Sequence, residues 1–190
     1  MLAESRLRMR HAEDVCRRAA VMLLGAVVYI GLFLLRERAR RNPMPGLRSM
    51  ALRLTPAQAG AEARPGEPFG VIMETSFDRG TASLVALADG SASLYFSTGG
   101  GVIGGRADAA KRCVATAATL LEHLTPIADD AFPSPGRTRF HVLTPEGRVG
   151  GDVGTEELAG GTYPLSQLFF AGQDVITELR LATPHYNARP

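Results

Sequence analysis

Short apolar and β-branched segments separated by turn residues predict a β-sheet in the middle of the chain. The segments are Gly70–Ser76, Thr81–Ala88 and Ser91–Ser97. The residues Asp-Arg-Gly at positions 78–80 separate the first two segments, and Asp89-Gly90 separates the last two. We therefore expect three consecutive antiparallel strands.

The second and third segments are predicted to form a hairpin around Asp89-Gly90. Asp-Gly is a strong signal for a two-residue type I′ turn, because both central residues need positive φ. Such a turn places Val85 opposite Leu94 and Ser83 opposite Phe96. One face of the hairpin is then expected to carry Val85, Leu87, Ala92, Leu94 and Phe96, and the other Leu84, Ala86, Ser91, Ser93 and Tyr95.

Two later stretches have helical spacing. Residues 107–124 place small and apolar side chains on one stripe, which makes Cys113 a core residue rather than a reactive thiol. Residues 163–182 form a second such stretch, with Pro164 suited to a first helical turn. Gly172 lies inside it and disfavours helix, so a break there is an alternative. The apolar stripes comprise Ala110, Cys113, Val114, Ala117, Leu120, Leu121 and Leu124 in the first helix, and Leu165, Phe169, Ile176 and Leu179 in the second.

Two further strands are predicted between these helices, at Thr138–Thr144 and around Arg148–Val153. The order β-β-β-α-β-β-α indicates an α+β domain over residues 69–182, followed by a tail at residues 183–190. We expect an antiparallel sheet of about five strands with two helices packed on one face.

The residues before this domain predict a membrane anchor. Residues 19–35 contain no charged side chain, and arginines flank the run on both sides. Seventeen helical residues cover about 25 Å, the short end of a bilayer span. A buried helix would keep a polar stripe, and a cleaved signal peptide would not be followed by RERARRNP. We therefore expect residues 1–41 to form a basic segment with one transmembrane helix at 19–35.

Other features bear on where the domain lies. Arginines are balanced on the two sides of the run, so the positive-inside rule does not fix the orientation. Cys113 without a partner cysteine favours a reducing compartment, and we expect the domain on the cytoplasmic side. The alternative is a soluble cytoplasmic protein that starts at Met44 or Met50. Residues 42–68, rich in Pro, Ala and Gly, are predicted to be a linker.

Charge argues against a nucleic-acid partner. Residues 1–53 carry 11 arginines and 4 acidic residues, a formal charge of +7, whereas residues 54–190 carry −5. A protein that binds nucleic acid needs its positive charge on the folded part, where it displaces counterions from phosphates. The folded part of this chain is acidic, which disfavours that class of function.

Glycines at residues 99–101 raise the question of a ligand-binding loop. The sequence runs Ser97, Thr98, Gly99, Gly100 and Gly101 before Val102-Ile103 and the first predicted helix. Glycine amides, hydroxyls and a helix start can hold an anion. The loop lacks the GK[ST] ending of a P-loop and does not follow a parallel strand. We favour a turn with a short edge strand at Val102-Ile103, and keep ligand binding by residues 97–101 as the alternative.

No catalytic or metal-binding constellation stands out. Cys16 and Cys113 are far apart, and His11, His123, His141 and His185 lack metal-ligand spacing. Glu74 lies on the strand face opposite Met73 and is expected to face solvent; the alternative is a buried acid. Two loop pairs, Asp129-Asp130 and Glu156-Glu157, are expected to be solvated. We expect no cofactor and no metal.

Two functions remain. The first is a membrane-tethered interaction or regulatory module, whose edge strand pairs with a protein partner or a second copy of the chain. The second is a binder of an anion or nucleotide, or a minor enzyme, that uses the loop from Ser97 to Gly105.

Overall fold

The computed structural model describes residues 44–62, 64–106 and 108–182, all of which belong to one compact unit. The predicted anchor at residues 19–35, the proposed basic segment around it and the tail at residues 183–190 lie outside this part of the chain. Among the described helices, none combines the length and apolar character that a bilayer span requires.

A seven-stranded antiparallel sheet forms the centre of the fold, in the order β4-β3-β2-β1-β6-β7-β5. The first four strands run from the middle of the sheet to one edge. The chain then crosses over one face and adds the remaining strands on the other side. The strands are β1 (Gly70–Phe77), β2 (Gly80–Leu87), β3 (Ser91–Phe96), β4 (Gly101–Arg106), β5 (Thr125–Pro126), β6 (Arg137–Thr144) and β7 (Gly147–Gly154).

The α+β class and the antiparallel sheet are confirmed, but the expected number of five strands is wrong. One strand beyond the five is β4, which confirms the short edge strand favoured at Val102 and Ile103 but not counted in the element order. The other is β5, whose two residues pair with β7 at the opposite edge. Strand β5 follows a predicted helix directly and is too short to show an alternating pattern.

The described part of the chain contains four α-helices: α1 (Met44–Ala51), α2 (Asp108–Ala118), α3 (Thr155–Ala159) and α4 (Ser166–Ala182). Helices α2 and α4 pack on one sheet face and enclose the larger core. Helix α2 ends before the predicted Leu124, and a 3₁₀ turn follows at Leu121–His123. The Thr119 hydroxyl donates to the Thr116 carbonyl, which competes with the helical backbone bonds at this end.

Helix α4 continues through Gly172 without the break that was considered. Gly172 is buried, and a Cβ atom there would lie 2.7 Å from the Sδ and Cε atoms of Met73 on β1. Glycine thus permits close approach of the helix to the sheet, and the packing outweighs its low helix propensity.

The predicted hairpin exists, but its predicted register is wrong by one residue. Leu84 pairs with Leu94, and Ser83 pairs with Tyr95. The loop has three residues, 88–90: the Gly90 amide donates to the Leu87 carbonyl, and Gly90 has φ of 90°. A three-residue loop that ends in a glycine with positive φ is the next most common hairpin type. Leu84, Ala86, Ala92 and Leu94 therefore share the face that meets α2 and α4.

The other sheet face is also covered, by residues 44–69, which we call the covering segment. This differs from the linker expected at residues 42–68. Helix α1 turns Arg48 and Ala51 toward the sheet, and Leu52, Ala59 and Phe69 extend the buried contact. These side chains form a second, smaller core with apolar residues of the sheet: Ile72, Val85, Tyr95 and Leu143.

Candidate functional site

The glycine loop, residues 97–101, for which ligand binding was the alternative to a structural turn, forms the turn between β3 and β4. The Ser97 amide donates to the Thr81 carbonyl, and the Ser97 hydroxyl accepts a 2.8 Å hydrogen bond from the Thr81 amide. Gly99 and Gly100 have φ of 104° and 85°. These bonds and backbone angles give Ser97 and the glycines a role in shaping the turn.

Gly101 is the most constrained residue of this loop. A Cβ atom at Gly101 would overlap the backbone carbonyl of Leu94, whereas a Cβ atom at Gly99 or Gly100 would meet nothing within 4 Å. Thr98 lines a small hollow near the loop, but none of the three glycines does. A ligand role for Ser97, Thr98, Gly99, Gly100 and Gly101 stays a prediction.

A row of polar residues crosses the sheet under the covering segment. Paired positions on adjacent strands bring Ser83 opposite Glu74, Glu74 opposite Arg139, and Arg139 opposite Asp152. Paired residues of neighbouring strands point to the same face of a sheet. The register of four strands therefore collects these side chains, which lie far apart in the sequence.

Glu74 is the centre of this row and is fully buried. The Arg48 guanidinium reaches it from α1, with Nε donating to Oε1 at 2.6 Å and one terminal nitrogen donating to Oε2 at 2.7 Å. The Ser83 hydroxyl donates to Oε1 at 2.8 Å. Two parallel charge-assisted bonds of this kind are the strongest and most directional pairing that a carboxylate makes with a side chain.

The expectation that Glu74 faces solvent is therefore wrong. Its assigned strand face is correct, since Met73 lies in the opposite core, but the covering segment closes that face. One feature of the sequence indicates this closure. Arg48 lies one helical turn from apolar Ala51 and Leu52, so the three side chains would share one face of a helix.

His141 lies beside this ion pair and is also fully buried. Its Nε2 is 3.6 Å from Glu74 Oε2, beyond hydrogen-bond distance, and neither ring nitrogen has a hydrogen-bond partner. Register pairs His141 with Ile72 on one side and Gly150 on the other. A buried polar group without a hydrogen-bond partner costs about 1–3 kcal/mol of folding free energy, so the His141 ring is destabilising in this position.

A loop between β5 and β6 closes the site from the side. The Phe132 ring stacks on the Arg48 guanidinium, 4.1 Å from its centroid. Arg139 holds this loop by donating to Asp129 and to the Ala131 carbonyl, and Arg148 donates to Asp130. Asp129 and Asp130, expected to be solvated, are exposed and also form ion pairs with these arginines.

The electrostatics of Glu74 favour a permanent charge. Burial alone would raise its pKa, but the hydrogen bonds and charge of Arg48, the nearby His141 and the Ser83 hydroxyl lower the pKa from 4.5 to about 2. A carboxylate with so low a pKa is a poor proton acceptor at neutral pH, and solvent does not reach it. The arrangement is suited to holding a guanidinium rather than to acid–base catalysis.

The opposite sheet face contains a cavity of about 300 Å³ between α4 and strands β1–β3. Met73, Leu84 and Leu94 form its buried apolar floor. Gln173, Ile176 and Arg180 of α4 contribute to its lining. The spacing of these residues in the sequence is that of ordinary core positions, so it does not predict a site.

Metal and thiol chemistry find little support in the described part of the chain. No group of three or more potential metal ligands occurs there. Cys113 is buried in α2, as its position on the helical stripe predicts, and burial together with the Asp174 charge raises its pKa to about 12. A thiol with so high a pKa is not nucleophilic at neutral pH.

The chain matches no protein-family model, and no curated protein or solved structure is significantly similar to it.

Proposed function

We propose that this protein is a membrane-tethered interaction and regulatory module whose covering segment is a releasable lid over one sheet face. The observation that carries this proposal is the buried, bidentate pair between Arg48 of α1 and Glu74 of β1. It links the part of the chain that follows the predicted anchor to the centre of the sheet.

The physical case begins with the size of α1. An isolated helix shorter than about 12–15 residues is marginal in water. Helix α1 has 8 residues, so its helical structure depends on its contacts with the sheet. Undocking and unfolding of this helix are therefore one event, which is the order–disorder type of switch.

The ion pair makes that event all-or-none. A buried ion pair adds little net stability compared with apolar packing, but separating its partners leaves an uncompensated buried charge. Among the described residues, the other basic group that contacts the Glu74 carboxylate is His141, whose Nε2 lies 3.6 Å from Oε2 and carries a charge only if protonated. Intermediate positions of α1 would leave Glu74 buried without its bidentate guanidinium partner, so docked and released states are favoured over partial ones.

Release of the lid would expose a surface with the features of a binding site. Ile72, Val85, Tyr95 and Leu143 would form an apolar patch around the Glu74 carboxylate. Apolar anchors around one charged group suit an amphipathic helix that carries an arginine. We propose that such a helix of a partner protein takes the place of α1. The β4 edge offers less to a partner, because β4 contains Gly104 at φ of 68°, a distortion that discourages pairing.

A peptide that spans residues 42–69 tests this proposal, with fluorescence anisotropy as the readout. The peptide is titrated with full-length Arg48→Gln protein in lipid nanodiscs. Loss of the buried ion pair weakens the docking of this variant's own lid. We expect this variant to bind the labelled wild-type peptide at least 10-fold more tightly than the wild-type protein does.

Matched peptides identify the role of the arginine. An Arg48→Gln peptide should bind at least 10-fold more weakly than the wild-type peptide. An Arg53→Gln peptide should bind normally, because Arg53 is exposed and not part of the buried pair. Equal binding of the three peptides, or no binding to the opened variant, contradicts the proposal.

The membrane tether rests on the uncharged run at residues 19–35 and the arginines around it. We propose a single pass with the domain on the cytoplasmic side. The full chain should sediment with membranes and require detergent for release. Full-length protein in the soluble fraction would overturn the tether and favour a start at Met44 or Met50.

A further inference from the structure

A second binding site lies on the sheet face opposite the lid. We infer that the cavity between α4 and strands β1–β3 binds a small amphiphilic anion, a medium-chain alkyl carboxylate. The inference is independent of the lid and of the proposed partner.

The cavity has an apolar interior. Met73, Leu84 and Leu94 form its floor, and Ala82, Phe96 and Ile176 lie around them. Its volume of about 300 Å³ is at the lower end of the range for small-molecule sites, which indicates a small ligand. Each methylene group that leaves water for such a surface contributes about 0.8 kcal/mol, so an alkyl chain gains affinity with length until the space is filled.

Arg180 lines this cavity and has no ion-pair partner among the residues that the structure describes. Arg180 is exposed and, within the described part of the chain, makes no hydrogen bond or ion pair. No acidic residue lines the cavity, although residues 54–190 carry a net negative charge. An arginine binds a carboxylate through two parallel hydrogen bonds, and the neighbouring Gln173 can donate another.

The cavity also continues toward the loop that follows β3. A smaller hollow of about 190 Å³ shares Phe77, Ala82 and Phe96 with it and ends at Thr98 and Arg79. Phe77 is 59% exposed, which is unusual for a phenylalanine and leaves an apolar rim between the two spaces. Arg180 lines the larger space and Arg79 the smaller one, and apolar side chains line both, which suits an anion with an alkyl chain.

Equilibrium dialysis of radiolabelled decanoate tests the inference. Full-length protein in lipid nanodiscs is compared with empty nanodiscs, and decanol serves as the neutral ligand of equal chain length. We expect saturable binding of decanoate above the nanodisc background, and weaker binding of decanol and of hexanoate. Background-level binding of decanoate, or equal binding of decanoate and decanol, overturns the inference.

Three variants locate the site. Arg180→Gln should weaken decanoate binding at least 10-fold and leave decanol binding unchanged, whereas Arg53→Gln, an exposed arginine of the covering segment, should change neither. Ala82→Leu should fill the cavity and weaken both ligands. The inference fails if Arg180→Gln binds decanoate normally. Arg180 is exposed, so its replacement should leave the fold intact, and this test stands even if Ala82→Leu does not fold.

Discussion

Glu74 shows most clearly what a single residue contributes to this molecule. Its carboxylate lies in a site that solvent does not reach, and it stays charged because Arg48 supplies both the countercharge and two hydrogen bonds. Ser83 supplies a third bond from the neighbouring strand. The identity of three residues, on one helix and two strands, is thus fixed by one buried charge.

The lowered pKa of Glu74 predicts a specific acid sensitivity. The pKa falls from 4.5 to about 2 in the folded protein, so the unfolded chain takes up the proton at higher pH. The stabilising contribution is complete above about pH 4.5 and is lost as the pH falls toward 2. That difference corresponds to about 3 kcal/mol in the free energy of unfolding.

Urea unfolding followed by circular dichroism at several pH values measures this contribution. The gap in stability between wild type and Glu74→Gln should narrow as the pH is lowered from 4.5 to 2. A constant gap over that range would mean that Glu74 does not titrate as its ion pair with Arg48 requires.

At the scale of elements, the sequence predicted the kinds of element better than their registers. The sequence predicts the strands β1, β2, β3, β6 and β7, the helices α2 and α4, and a short edge strand where β4 lies. The hairpin register was not predicted correctly, because Val85 and Leu87 are as apolar as Leu84 and Ala86. Both faces of the sheet are buried, so alternation does not distinguish the two registers.

Helix α1 could not be recognised for a different reason. Its two turns are too short to display a helical period, and Pro45 and Gly46 make the stretch resemble a linker. Its partners, Glu74 and Ile72, lie more than twenty residues away. The covering segment therefore forms through tertiary contacts. Neither this segment nor its buried ion pair could be predicted from the local sequence.

The turn between β3 and β4 provides a test at this scale. Gly101→Ala should destabilise the fold by about 2 kcal/mol or more, because its Cβ would overlap the Leu94 carbonyl. Gly100→Ala should cost about 1 kcal/mol, since only its positive φ is unfavourable for alanine. Thermal unfolding of the two variants gives the comparison. Equal losses would mean that β4 does not pack against β3 as described, and a stable variant that loses a ligand would support the loop as a binding site.

For the whole molecule, the sheet separates two different environments. One face is packed by α2 and α4 and contains the apolar cavity with Arg180 at its lining. The other face holds the polar row and is closed by the covering segment. The sequence predicted one covered face and one solvent face, because no local pattern indicates that a Pro- and Gly-rich segment returns to the sheet.

The central claim is that the covering segment opens as a unit while the rest of the domain stays folded. Native-state hydrogen exchange of the full chain in nanodiscs measures this directly, residue by residue. The amides of Leu52, Ala59 and Ala61 donate within the covering segment and report its opening. They should exchange with a lower free energy and a weaker dependence on denaturant than the amides of α2 and α4, and Glu74→Gln should lower their protection alone. Exchange of both groups with one common free energy and one common denaturant dependence would contradict the account.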